Sequence, residues 1–166
     1  MIDGWRWPLA KGTNRIRGGS LRNTFGADVR RSADGSPRAH QGWDFTAPVG
    51  TPFLAVCDGV VEAVQERGAL GLVLLLRCDL PDPSTGLRMY ALYAHLHSVA
   101  VDVGDKVKAG DGLGLTGNSG NAEGLADAED HLHFEFRTPD PWPGLGVAGR
   151  ISPYSIFGRP PLKEAV

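Results

Sequence analysis

Helical periodicity, long apolar runs and cysteine are all scarce in this chain, and charge of one sign gathers only in small clusters such as Arg30-Arg31. Its 166 residues carry 17 Lys and Arg against 19 Asp and Glu, scattered to a net charge of −2. There is thus no basic patch of the kind that holds nucleic acid or an anionic membrane surface. The longest apolar run, Leu70 to Leu76, is broken by Gly71 and is too short to span a bilayer. The first ten residues include Asp3, Trp5 and Trp7 rather than a basic and then apolar leader, so either a leader has been removed or the protein leaves its cell without one. The two cysteines, Cys57 and Cys78, lack C-x-x-C spacing. Each is read as lying in a strand. A cross-strand disulfide is geometrically possible there, but two free buried thiols are the expectation, because Cys is a common core residue.

Glycine and proline are plentiful, with 23 and 12 residues, more than a helical protein tolerates and suited to short strands joined by turns. Strand patterns run over 52–56, 60–65, 72–78 and 87–95, separated by Asp58-Gly59, by a turn over 68–71 and by the Pro81 to Gly86 segment. Arg30 to Pro37 reads as a surface loop. The expected architecture is all-β, an antiparallel sheet with short loops. Residues 1–13 form an N-terminal extension, 14–138 the domain, and 139–166 a Pro/Gly-rich tail packed irregularly upon it. Between Val103 and Gly117, V-G-D-K-V-K-A-G-D-G-L-G-L-T-G has a glycine texture fitting hairpins whose backbones approach closely. Lipoyl and biotinyl carriers share that texture, but Lys106 sits in G-D-K-V at a strand entry and not at a hairpin tip, which disfavours a carrier.

Chemistry concentrates on histidine. In D-H-L-H-F-E-F-R, strand alternation puts His131, His133 and Glu135 on one outward face and Leu132, Phe134 and Phe136 on the core face. Two adjacent imidazoles serve a metal or a proton-transfer task, or are simply a solvated surface pair. His40 and Asp44 stand in H-Q-G-W-D. There Gly42 and the following Phe45 to Pro48 argue for a loop entering a strand and against a helix. Two imidazoles and a carboxylate make a three-ligand set for catalytic zinc with a fourth position open to water, whereas calcium and magnesium prefer all-oxygen cages.

Four segments, H-Q-G-W-D-F-T-A-P-V-G-T-P-F-L-A-V-C-D-G-V-V, Y-A-H-L, V-G-D-K-V-K-A-G-D-G-L-G-L-T-G-N-S-G and H-L-H-F-E-F-R, occur in that order between Ile16 and Arg137. With them the chain resembles the lysostaphin and LytM-type zinc endopeptidases of bacterial cell walls. The resemblance implies a β-rich fold with a substrate groove across an antiparallel sheet. It implies zinc bound by His40, Asp44 and His133, and His95 and His131 as the catalytic pair that does not bind metal. The implied substrate is the stem peptides or cross-bridges of peptidoglycan. His97 matches no family position and is expected as an exposed turn residue. Glu135 is expected to support the ligands, and Trp43 and Tyr93 to pack beneath them.

One departure from the family is a longer, acidic stretch over 121–130 that ends beside His131. It would narrow the groove, contact amino groups of stem peptides, act as a lid, or simply be solvated. Competing functional readings are a binding module that activates other cell-wall hydrolases, disfavoured because no site position is missing, and a zinc protease acting on proteins. A monomer acting in the periplasm or cell wall is expected. It would be secreted or injected as an antibacterial effector, a phage lysin or part of an envelope protein, with an immunity protein as partner if it is a toxin.

Overall fold

The computed structural model describes residues 1–163 and 166. Eleven strands follow in chain order: β1 (Gly26–Arg31), β2 (Pro37–His40), β3 (Trp43–Thr46), β4 (Pro52–Leu54), β5 (Gly59–Glu66), β6 (Leu72–Cys78), β7 (Tyr90–Val99), β8 (Lys106–Val107), β9 (Gly112–Thr116), β10 (His131–Arg137) and β11 (Arg150–Ile151). One short helix, α1 (Tyr154–Phe157), closes the described order. The strands obey the turn signals between them, and the all-β antiparallel expectation holds.

β1 and β2 form a separate hairpin. The other nine strands form one antiparallel sheet, in which β10 lies between β7 on one side and β3 and β11 on the other. β7 is long enough to pair with β6 and β10 along its first half and with β9 along its second.

Alternation along β10 sends Leu132, Phe134 and Phe136 into the main core, each 0% exposed. There Phe134 and Phe136 meet Trp5, Phe45, Tyr93 and Phe157 in edge-on and tilted ring contacts, and Trp43 joins the same cluster through Phe45 and Phe157. Burying side chains of this size stabilises the fold by roughly 1.5–3 kcal/mol apiece. Tyr93 also accepts a hydrogen bond from the Val56 amide at 3.0 Å through its hydroxyl, which satisfies its one polar atom inside the core. The opposite face carries a smaller apolar cluster of Val73, Leu75, Tyr90, Leu92 and Ala94.

Four sequence expectations need correction. Residues 30–37 are not all loop: β1 runs through Arg31 and β2 begins at Pro37, because a tight turn over 32–36 folds the segment into a hairpin. Cys57 lies in the bend between β4 and β5, not in a strand, while Cys78 ends β6; both thiols are free and buried. His97 is exposed as expected but lies within β7, whose pairing with β9 continues past it. His131 and His133 do not face solvent. Each is 5% exposed, because the β1–β2 hairpin and the flanking loops rise over that face of β10.

Candidate metal centre and groove

Register decides which side chains can meet. β3 pairs with β10 so that Asp44 is directly opposite His133 and Thr46 opposite His131; side chains of opposed residues on one face lie side by side. Getting from His40 at the end of β2 to Asp44 on β3 requires the chain to run hard against β10. A Cβ at Gly42 would stand 2.0 Å from the Phe134 carbonyl oxygen, so any larger residue would force the segment that carries His40 away from β10.

Three donor atoms converge there. His133 Nδ1 lies 2.7 Å from Asp44 Oδ1, His40 Nε2 lies 3.1 Å from the same oxygen, and the two nitrogens are 3.3 Å apart. Ligand atoms about 2.1 Å from a tetrahedral zinc stand roughly 3.4 Å from one another, so a slight widening of this triangle accepts the ion. Among the described residues these three form the one group of His, Cys, Asp and Glu side chains close enough to hold a metal. The N,N,O donor set suits zinc.

The outward-facing nitrogens fix the tautomers. His40 donates from Nδ1 to the Thr24 carbonyl at 2.9 Å, leaving the Nε2 lone pair turned inward. His133 does the reverse, donating from Nε2 to Glu135 Oε1 at 3.0 Å and turning Nδ1 inward. Glu135 is 0% exposed, yet its other oxygen accepts from Arg137 Nε at 2.8 Å and Arg150 Nε at 2.7 Å. Burial works against its charge, but the hydrogen bonds from His133 and Arg137 and their positive charges hold its carboxyl far below the usual range. Burial likewise opposes the charge on Asp44, and the hydrogen bond from His133, with the neighbouring His40, overcomes it and keeps the carboxylate ionised. Burial also disfavours charged His133, but its contacts with Asp44 and Glu135 hold its pKa up at about 9, so without a metal Nδ1 carries a proton given to Asp44, and zinc would take that proton's place.

His95 reaches the site by breaking the alternation of β7. Tyr93 and Leu96 point into the main core and Ala94 to the opposite face. With φ of +59° at His95, two consecutive side chains, Ala94 and His95, face the groove side. Positive φ at a non-glycine residue is uncommon and clusters at functional positions. His95 donates from Nδ1 to the Ser119 carbonyl at 2.9 Å, and His131 donates from Nδ1 to the Glu129 carbonyl at 2.9 Å. Both therefore present a bare Nε2 toward the donor triangle, with His131 Nε2 3.9 Å from Asp44 Oδ1 and the two rings 4.9 Å apart. Burial, together with the neighbouring His133 and His131, pushes the His95 pKa down to about 4, and burial lowers that of His131. Both imidazoles are neutral at pH 7 and able to accept a proton.

The five side chains floor a cavity of about 920 Å³. Its walls come from Pro37 to Ala39 on β2, from Arg67 to Leu70 with Asn121 and Leu125 on the far side, and from 143–146 in the tail. The acidic 121–130 stretch is two single turns of 3-10 helix, 120–122 and 127–129. It turns Asn121 and Leu125, not its carboxylates, to this groove.

The structure brings together all five histidine and aspartate residues singled out from the sequence. It adds others that the sequence reading did not include. Arg30 binds Asp44 Oδ2 at 2.6 Å from the segment read as surface loop. The Thr24 and Ser119 carbonyls carry no side-chain signal at all. Arg137 did carry one, because the two-residue alternation H-x-H-x-E-x-R puts it on the same face as Glu135.

Over 102 residues the chain is 36% identical to the peptidoglycan DD-endopeptidase ShyC of Vibrio cholerae, an alignment covering 61% of this chain and 21% of that protein. Its fold matches a zinc-containing peptidase from Vibrio cholerae with TM-score 0.64 and 26% identity, over 86% of this chain and 40% of the other. It also matches the catalytic domain of lysostaphin from Staphylococcus simulans, with TM-score 0.59 and 25% identity over 78% and 85%. The chain spans a quarter or less of the length of the first curated relatives it matches. Residues 38–143, a span that holds all five converging side chains, match peptidase family M23, and the chain belongs to that family.

Proposed function

We propose that this chain is a zinc-dependent endopeptidase that hydrolyses peptide cross-links of bacterial peptidoglycan in the periplasm or cell wall. In this reading His40, Asp44 and His133 hold the metal, and His95 and His131 handle protons. The observation that carries it is the pairing of a complete His/Asp/His donor set with two neutral imidazoles, their rings 4.9 Å from each other, whose bare nitrogens face it. Relatives named as peptidoglycan DD-endopeptidases supply the substrate class.

Zinc bound there would polarise the scissile carbonyl and acidify a water toward neutrality. This chain's residues supply the rest. One of His95 and His131 takes a proton from the attacking water through its bare Nε2 and returns it to the leaving amine, while the other, charged by a proton drawn from solvent, donates a hydrogen bond to the developing oxyanion and releases that proton as the products leave. The Ser119 and Glu129 carbonyls hold both rings in the tautomer that this needs. Groove walls on three sides align an extended peptide over the floor.

Purified sacculi digested with the zinc-loaded protein and analysed by mass spectrometry test this directly. Uncross-linked stem peptides with new termini should appear, and a chelator should abolish them. Intact cross-links after digestion would refute the substrate assignment.

A further inference from the structure

A second cavity, of about 380 Å³, opens beside the groove and shares Arg17, Arg30 and Arg38 with it. Arg22 completes a lining of four guanidinium groups, against which stands one carboxylate, Glu129. In a chain of net charge −2 this is a local reversal of sign directly alongside the metal donors.

The four cations are not equally committed. Arg17 is tied to Glu129, its Nε 2.9 Å from the carboxylate. Arg30 is held by Asp44 at 2.6 Å, by the Arg22 carbonyl at 2.9 Å and by Asn23 Oδ1 at 3.1 Å. Arg22 and Arg38 are exposed and, among the described residues, have no acidic partner. Gathering like charges is unfavourable in itself, because Arg22, Arg30 and Arg38 line one small cavity. An anion entering between them relieves that repulsion, and a guanidinium fork matches the two oxygens of a carboxylate.

We propose that the cavity lined by Arg22, Arg30 and Arg38 is a subsite for a free carboxylate on the peptide substrate, carried by a residue flanking the bond cut at the metal centre. The proposal rests on the peptide-hydrolysis reading above. The cavity shares residues with the groove, so a chain lying over His133 and His131 brings a flanking side chain or terminus within reach of it. The subsite selects acidic cross-links over uncharged ones of the same length. Glycine bridges, which offer no side-chain carboxylate, are the poor substrates.

The test compares two synthetic cross-linked peptides, identical except that the carboxyl group flanking the scissile bond is free in one and amidated in the other. For the zinc-loaded wild-type chain, kcat/KM should favour the free acid by about ten- to a hundredfold, the usual value of a charged hydrogen-bonded pair. That ratio should fall toward one in the Arg22→Gln/Arg38→Gln double variant and be partly restored by Arg38→Lys with Arg22 intact. Zinc stoichiometry of each variant verifies that the fold is kept. Equal cleavage of acid and amide by the wild-type chain would overturn the subsite while leaving peptide hydrolysis standing. Cleavage of neither peptide would end the hydrolysis reading and the subsite with it.

Discussion

At Glu135 a full negative charge lies where the chain is 0% exposed, and three donors, His133 Nε2, Arg137 Nε and Arg150 Nε, make that tolerable. The carboxylate fixes which nitrogen of His133 points inward, so its charge matters more than its shape. Glu135→Gln should therefore weaken zinc binding by roughly ten- to a hundredfold, measured by competition with a chromophoric chelator, while the strand still forms. An unaltered affinity would mean that the ring is oriented by packing alone. The sequence displayed this arrangement only in part. Alternation along H-L-H-F-E-F-R placed His131, His133 and Glu135 together, but solvent was the expected neighbour, because the hairpin that covers them is distant in sequence and lies in a segment read as loop. His95 was legible only through a family resemblance. Its positive φ of +59° cannot be inferred from a strand pattern that would have pointed it into the core.

Among the elements, β11 and the 138–149 segment show how a groove wall is tied to the metal floor. Arg150 reaches Glu135 with Nε and, through Nη1, the carbonyls of Gly144 at 2.8 Å and Gly146 at 3.0 Å. Arg137 adds the Pro141 carbonyl at 2.9 Å, and Trp142 lies under the guanidinium groups of Arg67 and Arg137. Arg150→Gln should cost about 3–5 kcal/mol, the scale for removing one partner of a buried ion pair, read from denaturant unfolding of the zinc-free protein. It should also raise KM by loosening the 143–146 wall. A loss below 1 kcal/mol would show that the loop is held by other means. Strand existence was well predicted, since β5, β6 and β7 follow their apolar alternation and turn residues. Strand ends were less so: β7 begins at Tyr90 and runs to Val99 rather than covering 87–95. The tail was expected to pack irregularly. It carries β11 and α1, and its role as a groove wall depends on carbonyl groups that any sequence possesses.

For the whole molecule, both ends of the chain close the core. Trp5 and Leu9 join it from a segment with no periodic signal, and Ile156 and Phe157 from the tail. The Ile2 amide donates to the Ile156 carbonyl at 3.0 Å, and Asn14 exchanges backbone hydrogen bonds with Val166. The regions without pattern are thus part of the same packed unit as the sheet, because two tryptophans and a phenylalanine carry enough apolar surface to dock without regular structure. Around that core the site draws on β2, β3, β7 and β10, so the donor triangle forms only when the β1–β2 hairpin sits against the assembled sheet.

Zinc stoichiometry by mass spectrometry of the native protein, combined with turnover of a cross-linked peptide, tests the division of labour between that triangle and the two histidines facing it. The wild-type chain should hold one ion. His40→Ala, Asp44→Ala and His133→Ala should each lose both the ion and activity. His95→Ala and His131→Ala should keep the ion but slow turnover by roughly a hundredfold or more. An ion retained in the Asp44→Ala and His133→Ala variants, or lost in His131→Ala, would contradict the assignment of ligands and proton carriers.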